Sequence, residues 1–223
     1  MMVFDDRGHG GRVLAQALGR YAGRQDVVVL GLTRGGVPVA SEVAHALGAP
    51  LDGLVVRKLG MPGHEELAFG AIAAGGARVL NDEVVRHWLV LGGDRPALER
   101  VEARERAELS RREALYRGGR PPLEITGKIA VVVDDGLATG ATMRAAVASV
   151  RQRSPALVVV AVPVGAIETC EALEDVADDV VCARPVDDLG AVGFWYRDFS
   201  QTTDDEVIAL LGADNTDPVV ASG

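Results

Sequence analysis

The chain has 223 residues, a net charge of −9 and a sequence pI of about 5.0, with 48% apolar and 25% charged residues. Its length suits one large domain, or one domain with an appendage, and roughly 70% of the unfolded surface can be buried without disulfide or metal staples. The acidic balance argues against a general nucleic-acid binder, which would neutralise phosphates with Lys and Arg.

In chain order, the opening stretch MMVFDDRGHGGR has no apolar leader. No later run reaches the roughly 18 apolar residues of a membrane span, so a reducing cytoplasm is the expected setting. Val27 to Leu32 (VVVLGL) predicts a buried strand, and the apolar spacing from Val37 to Leu47 predicts a helix. Leu54 to Val56 reads as a short strand. Gly60 to Asn81 reads as a glycine-rich loop. Pro96 to Arg117 predicts a charged helix, supported by Glu102 with Arg106 and Glu108 with Arg112. It is either a solvated helix packed by Leu98, Val101, Leu109 and Leu115, or a dimer arm or lid. Ile129 to Val133 (IAVVV) is a strand, followed by a helix from about Thr139 to Arg151. Leu157 to Val162 is another strand, and a helix near Glu168 to Val176 precedes a weaker one at Val180 to Ala183. Cys170 and Cys182 sit in no metal or redox pattern and read as small buried hydrophobes.

Uninterrupted apolar strands with intervening helices predict an α/β fold, a doubly wound and mostly parallel sheet covered on both faces. The expected organisation is a core over residues 1–185 with a charged helical insert at about 82–122. A small C-terminal hood over 186–212 and a disordered tail over 213–223 follow.

In such sheets, ligands bind at the carboxyl ends of the strands. The strand IAVVV runs into Asp134 and Asp135, then Gly136, Leu137, Ala138, Thr139, Gly140, Ala141 and Thr142, and then a helix. Small residues leave backbone N–H groups uncovered, the helix adds the positive end of its dipole, and two threonines add hydroxyls. A phosphate monoester suits that nest. Like charges keep the carboxylates off the phosphate, but they can accept hydrogen bonds from sugar hydroxyls or help hold a divalent cation. No GxxxxGK[ST] loop is present, and GLATGAT lacks the dinucleotide-binding spacing, so two other phosphate-binding classes are excluded.

The segment VVVDDGLATGAT resembles the phosphoribosyl pyrophosphate (PRPP) signature of type I phosphoribosyltransferases. The resemblance implies that Asp134 and Asp135 face the ribose hydroxyls, with any metal contact made directly or through water, while Gly136 to Thr142 wraps the 5-phosphate. By position it also implies a pyrophosphate loop at Thr33, Arg34, Gly35 and Gly36, and basic residues at Arg57 and Lys58 against the diphosphate. Gly60 to Gly76 corresponds to the family's mobile catalytic loop; His64, Glu65 and Glu66 lie there and are candidate acids or bases. Four of the chain's nine aromatic residues fall between Phe194 and Phe199, and the stretch resembles the segment capping the base site in 6-oxopurine enzymes. Phe194, Trp195, Tyr196 and Asp198 are therefore acceptor-side candidates, although the spacing to Asp198 is one residue longer than in that segment.

The implied function is Mg2+-dependent transfer of the phosphoribosyl group of PRPP to a nitrogenous acceptor, with Asp134, Asp135, Arg34 and Lys58 as the catalytic set. The alternative is a PRPP-binding regulator without turnover. A homodimer is compatible with either.

Overall fold

The computed structural model describes residues 3–213, so nearly all of the stretch expected to be a disordered tail lies outside the described residues. The chain opens with α1 (Arg7–Ala17), β1 (Val27–Leu32), α2 (Gly36–Leu47) and β2 (Leu51–Leu54). Three strands follow, β3 (Val56–Met61), β4 (His64–Ala73) and β5 (Arg78–Leu80), and then α3 (Asp82–Val90) and the long α4 (Arg95–Arg117). The second half holds β6 (Ile129–Val133), α5 (Ala141–Arg151), β7 (Leu157–Ala166), α6 (Ile167–Leu173), β8 (Asp179–Val186) and α7 (Asp204–Ala213).

The main sheet has five strands in the order β2-β1-β6-β7-β8, all parallel. Alternate residues of its central strands enter two different cores, which is why these strands read as continuous apolar runs. Val29, Val131 and Val159 join one core with α1, α2, α4 and α7. Val28, Val132 and Val160 join another with α5. The strand order reverses between β1 and β6, so the loops following those two strands flank a switch-point crevice.

The expectation of a loop over Gly60 to Asn81 is wrong. Strands β3, β4 and β5 form a separate antiparallel sheet. Leu59, Phe69 and Ile72 are buried there, but Gly and Ala at intervening positions dilute the apolar alternation that would mark strands. Gly60 and Gly70 are needed for close approach: a Cβ would stand 2.6 Å from the Glu65 carbonyl oxygen at the first and 2.5 Å from that of Val79 at the second. The supposed strand at Leu54 to Val56 is the junction between the two sheets.

The helical insert comprises α3 and α4. Both expected ion pairs form along α4, Glu102 with Arg106 at 2.9 Å and Glu108 with Arg112 at 2.7 Å. Leu98 and Leu109 are buried as expected, but Leu115 is exposed and Tyr116 is buried in its place. The hood also draws on the N-terminus: Phe4 pairs with Tyr196 and packs with Val164, Leu189 and Trp195.

Candidate functional site at the switch point

The loop from Gly136 to Thr142, expected to hold phosphate, is held from below. Leu137 donates its amide to the Val164 carbonyl at 2.9 Å, and its carbonyl accepts from Ala166 at 3.0 Å, stitching the loop to β7. Leu137 was expected among the phosphate contacts, but its amide is spent and its side chain is buried, so it anchors the loop instead. Thr169 Oγ1 donates to the Ala138 carbonyl at 2.7 Å from the start of α6. Gly140 then takes φ 73° and ψ −5° immediately before α5, and no side chain caps the helix's first amides. The result is a hollow of about 150 Å³ lined by Gly136 to Met143, with Asp134, Lys58 and Val192 closing its sides. A Cβ on Gly136 would come within 2.4 Å of the Val192 side chain, so this glycine lets the hood close over the loop.

The loop after β1 lies against this strand end. A Cβ on Gly36 would sit 2.6 Å from the Val133 carbonyl oxygen, and one on Gly35 2.1 Å from Asp135 Oδ2. Only glycine permits the two loops to approach this closely. The Thr33–Arg34 peptide is cis. Thr33 Oγ1 is buried and has no hydrogen-bond partner. The Arg34 guanidinium stands 3.6 Å from the Asp204 carboxylate.

The adjacent acids differ. Asp134 Oδ1 accepts the Asp135 amide at 2.9 Å and pairs with no cation. Burial, reinforced by Asp135 beside it, pushes the Asp134 carboxyl well above the ordinary range, against the opposing pull of Arg7 and Lys58. Asp135 is also raised by burial, but Arg7 opposes the rise by donating Nε–H to Oδ2 at 2.8 Å. Arg7 donates further to the Ser200 carbonyl at 2.7 Å, and its guanidinium lies 3.9 Å from the centre of the Phe199 ring. Tyr196 completes the mount, its hydroxyl donating to the Asp135 carbonyl at 2.5 Å. Burial and then Asp135 hold that phenol well above its usual value, so it remains a donor.

Arg57 and Lys58 are not at the end of a parallel strand but inside antiparallel β3, where successive side chains leave opposite faces. Lys58 lines the hollow of the loop after β6. Arg57 does not follow it. Both its Nε and Nη2 donate to the buried Glu105 of α4, at 2.9 and 2.6 Å, which corrects its expected place against the diphosphate.

This geometry agrees with what the chain resembles. Residues 7–196 match the model of the phosphoribosyl transferase domain. The chain belongs to the phosphoribosyl transferase domain family. It is 53% identical over 211 residues to proteins named "Putative phosphoribosyl transferase" in two strains of Mycobacterium tuberculosis; the match covers 95% of this chain and 47% of theirs, so the chain spans about half their length. Among solved structures it is similar to TT1426 from Thermus thermophilus, at 47% identity and TM-score 0.78 over 94% of this chain and 98% of that one. A hypothetical protein from Neisseria gonorrhoeae with bound ppGpp shares the fold, at 15% identity and TM-score 0.50 over 95% of this chain and 96% of that one.

Within this phosphoribosyl transferase domain, the hood corrects the acceptor-side expectation. Trp195 is buried and donates Nε1–H to the Leu189 carbonyl at 3.0 Å, while Tyr196 stacks on Phe199 with ring centres 5.1 Å apart. Their faces are packed and unavailable to a planar ligand. Phe194 is 74% exposed and keeps an open face. Asp198 is exposed, and hydrogen bonds from Ser200 hold its carboxyl below the usual range. His64 and Glu65 are exposed near the β3–β4 turn, and the Glu66 side chain lies outside the described residues. Sequence reasoning missed Arg7, Glu105 and the Asp204–Tyr116 pair. The only signal for Arg7 was its place after the N-cap Asp6, which says nothing about a partner so far along the chain.

Proposed function

We propose that the protein transfers the 5-phosphoribosyl group of PRPP to a nitrogenous acceptor with release of pyrophosphate. The observation that carries this reading is the meeting of a phosphate-sized backbone nest, two acids and Lys58 at one strand end, with the Arg34 loop packed directly against it. In this reading the first-turn amides of α5 and the hydroxyls of Thr139 and Thr142 hold the 5-phosphate. Asp134 and Asp135 accept hydrogen bonds from the ribose hydroxyls, with Arg7 and Tyr196 fixing the position of Asp135. Arg34, Lys58 and the unpartnered Thr33 hydroxyl receive the diphosphate. The C1–O bond breaks with its electron pair leaving on pyrophosphate, and a C1–N bond forms to the acceptor. The two cations stabilise the charge that develops on the departing oxygens.

The donor set fits magnesium held by one or two carboxylates and the ligand's own oxygens, as this ion prefers, rather than by an all-protein cage. Asp134, which no cation pairs, and Asp135 are the residues that would hold it, and the ion would supply further charge neutralisation on the diphosphate.

The test is pyrophosphate release from PRPP with magnesium across a panel of nucleobases and other amines. Acceptor-dependent release is expected; absence of PRPP binding at high concentration would remove the reading. The inward-packed Trp195 and Tyr196 favour a second reading, a PRPP-binding regulator without turnover. Tight PRPP binding with no release across the panel would select it.

A further inference from the structure

The proposed reading leaves α4 and α7 without a task, yet both reach the Arg34 loop. Tyr116, near the end of α4, is buried and donates its hydroxyl to Asp204 Oδ1 at 2.6 Å. Burial and then this bond push the phenol up to about 12, so it donates throughout the physiological range. The same Oδ1 faces Arg34 Nη1 at 3.6 Å, near enough for an ion pair but too far for a hydrogen bond. Asp204 opens α7, and α7 packs on α2, the helix that begins directly after the Arg34 loop. Arg120 ties the layer together by donating to the Leu211 carbonyl at 2.7 Å.

A carboxylate so close to a guanidinium has two consequences. It compensates the cation when no other anion is near. It also opposes any anion that comes to that cation, because the two negative groups repel. The contact is partly exposed, with 25% of the Arg34 side chain and 37% of the Asp204 side chain accessible, so solvent weakens the effect without abolishing it.

Resting on the reading that Arg34 receives the diphosphate, we infer that Asp204, pinned by Tyr116, is the built-in counter-ion of Arg34 and sets how tightly the site holds pyrophosphate. Asp204 is a positioning residue acting through Arg34. It moderates the hold on a highly charged product that has to leave, while the phosphate nest on the other side of the crevice is untouched.

The test is calorimetric titration of the full chain with pyrophosphate and, separately, with ribose 5-phosphate, both in the presence of magnesium. Asp204→Asn keeps the acceptor for Tyr116 and removes the charge. Its pyrophosphate Kd is expected to fall about fivefold, the scale of one partly exposed ion pair, with ribose 5-phosphate unchanged. Tyr116→Phe should move pyrophosphate in the same direction by less. In an Arg34→Ala background, Asp204→Asn should have no effect, which shows that it acts through the guanidinium. Wild-type binding of pyrophosphate combined with an unchanged or weaker Asp204→Asn would overturn the inference alone. Weaker binding by Tyr116→Phe would overturn the pinning. Failure of the wild type to bind either ligand would overturn the underlying reading, and the inference with it.

Discussion

In the proposed reading, the two sides of the crevice receive anions by different means. On that reading the loop after β6 uses uncharged groups: backbone amides, two hydroxyls and a helix dipole, on a loop fixed by hydrogen bonds to β7 and α6. The opposite side uses Arg34, whose charge is already answered by Asp204, while Lys58, from β3, closes one side of the loop's own hollow beside Asp134. A backbone nest binds through shape and is hard to adjust, because every amide also belongs to the fold. A side-chain cation is easily adjusted by whatever carboxylate the next layer supplies. In the proposed reaction this division is useful, since the phosphoribosyl half stays in place while the diphosphate must depart.

The separation can be broken by mutation. Arg34→Ala should weaken pyrophosphate binding about 10–100-fold, as expected for losing a hydrogen bond to a charged partner, with little change for ribose 5-phosphate by titration. An equal loss for both ligands would mean that the two sides act as one. Gly136→Ala should do the reverse, because its Cβ would overlap Val192. Ribose 5-phosphate should weaken more than pyrophosphate, and urea unfolding should show about 1–3 kcal/mol of destabilisation from the overpacking.

Asp134→Asn sharpens the comparison through stability. The folded-state carboxyl is raised above its ordinary value of 3.8, so the folded protein retains the proton to higher pH than the unfolded chain. Stability is therefore lost as pH rises from that ordinary value toward the folded one, and the amide avoids the loss. The variant should be about 1–2 kcal/mol more stable than wild type at pH 8, with the gain vanishing near pH 4, while losing PRPP binding with magnesium. A constant difference across pH in urea titrations would show that the carboxyl is not the cause. Asp198→Ala should have the smallest effect, within about twofold on PRPP binding, because an exposed carboxylate that organises only a local turn contributes little. A larger loss in the same assay would return Asp198 to the site.

Some of this was legible beforehand because it is local. The run IAVVV followed by Asp-Asp-Gly needs no distant information: β-branched residues make the strand, small residues the turn, and the helix follows. The same holds for Thr33 to Gly36. The antiparallel sheet was missed because Ala and Gly carry little strand signal, and its glycines serve strands that approach within a Cβ's width. Trp195 and Tyr196 were misassigned for the opposite reason. Sequence shows an aromatic residue but not which way its face points, and only the packing of Phe4 against Tyr196 and of Trp195 beside Leu189 turns those faces inward.

The sequence by itself determined the parallel α/β core, the small-residue loop before α5 and the pair of acids that ends β6, since each is a property of contiguous residues. Only the tertiary structure decided how the charges around the crevice pair. Arg7 meets Asp135, Arg57 turns away to Glu105, and Asp204 faces Arg34 with Tyr116 behind it. Each pair joins positions far apart in the chain, and a partner for a charge is set by distance in space, which only the folded packing of α1, α4 and α7 around the crevice supplies.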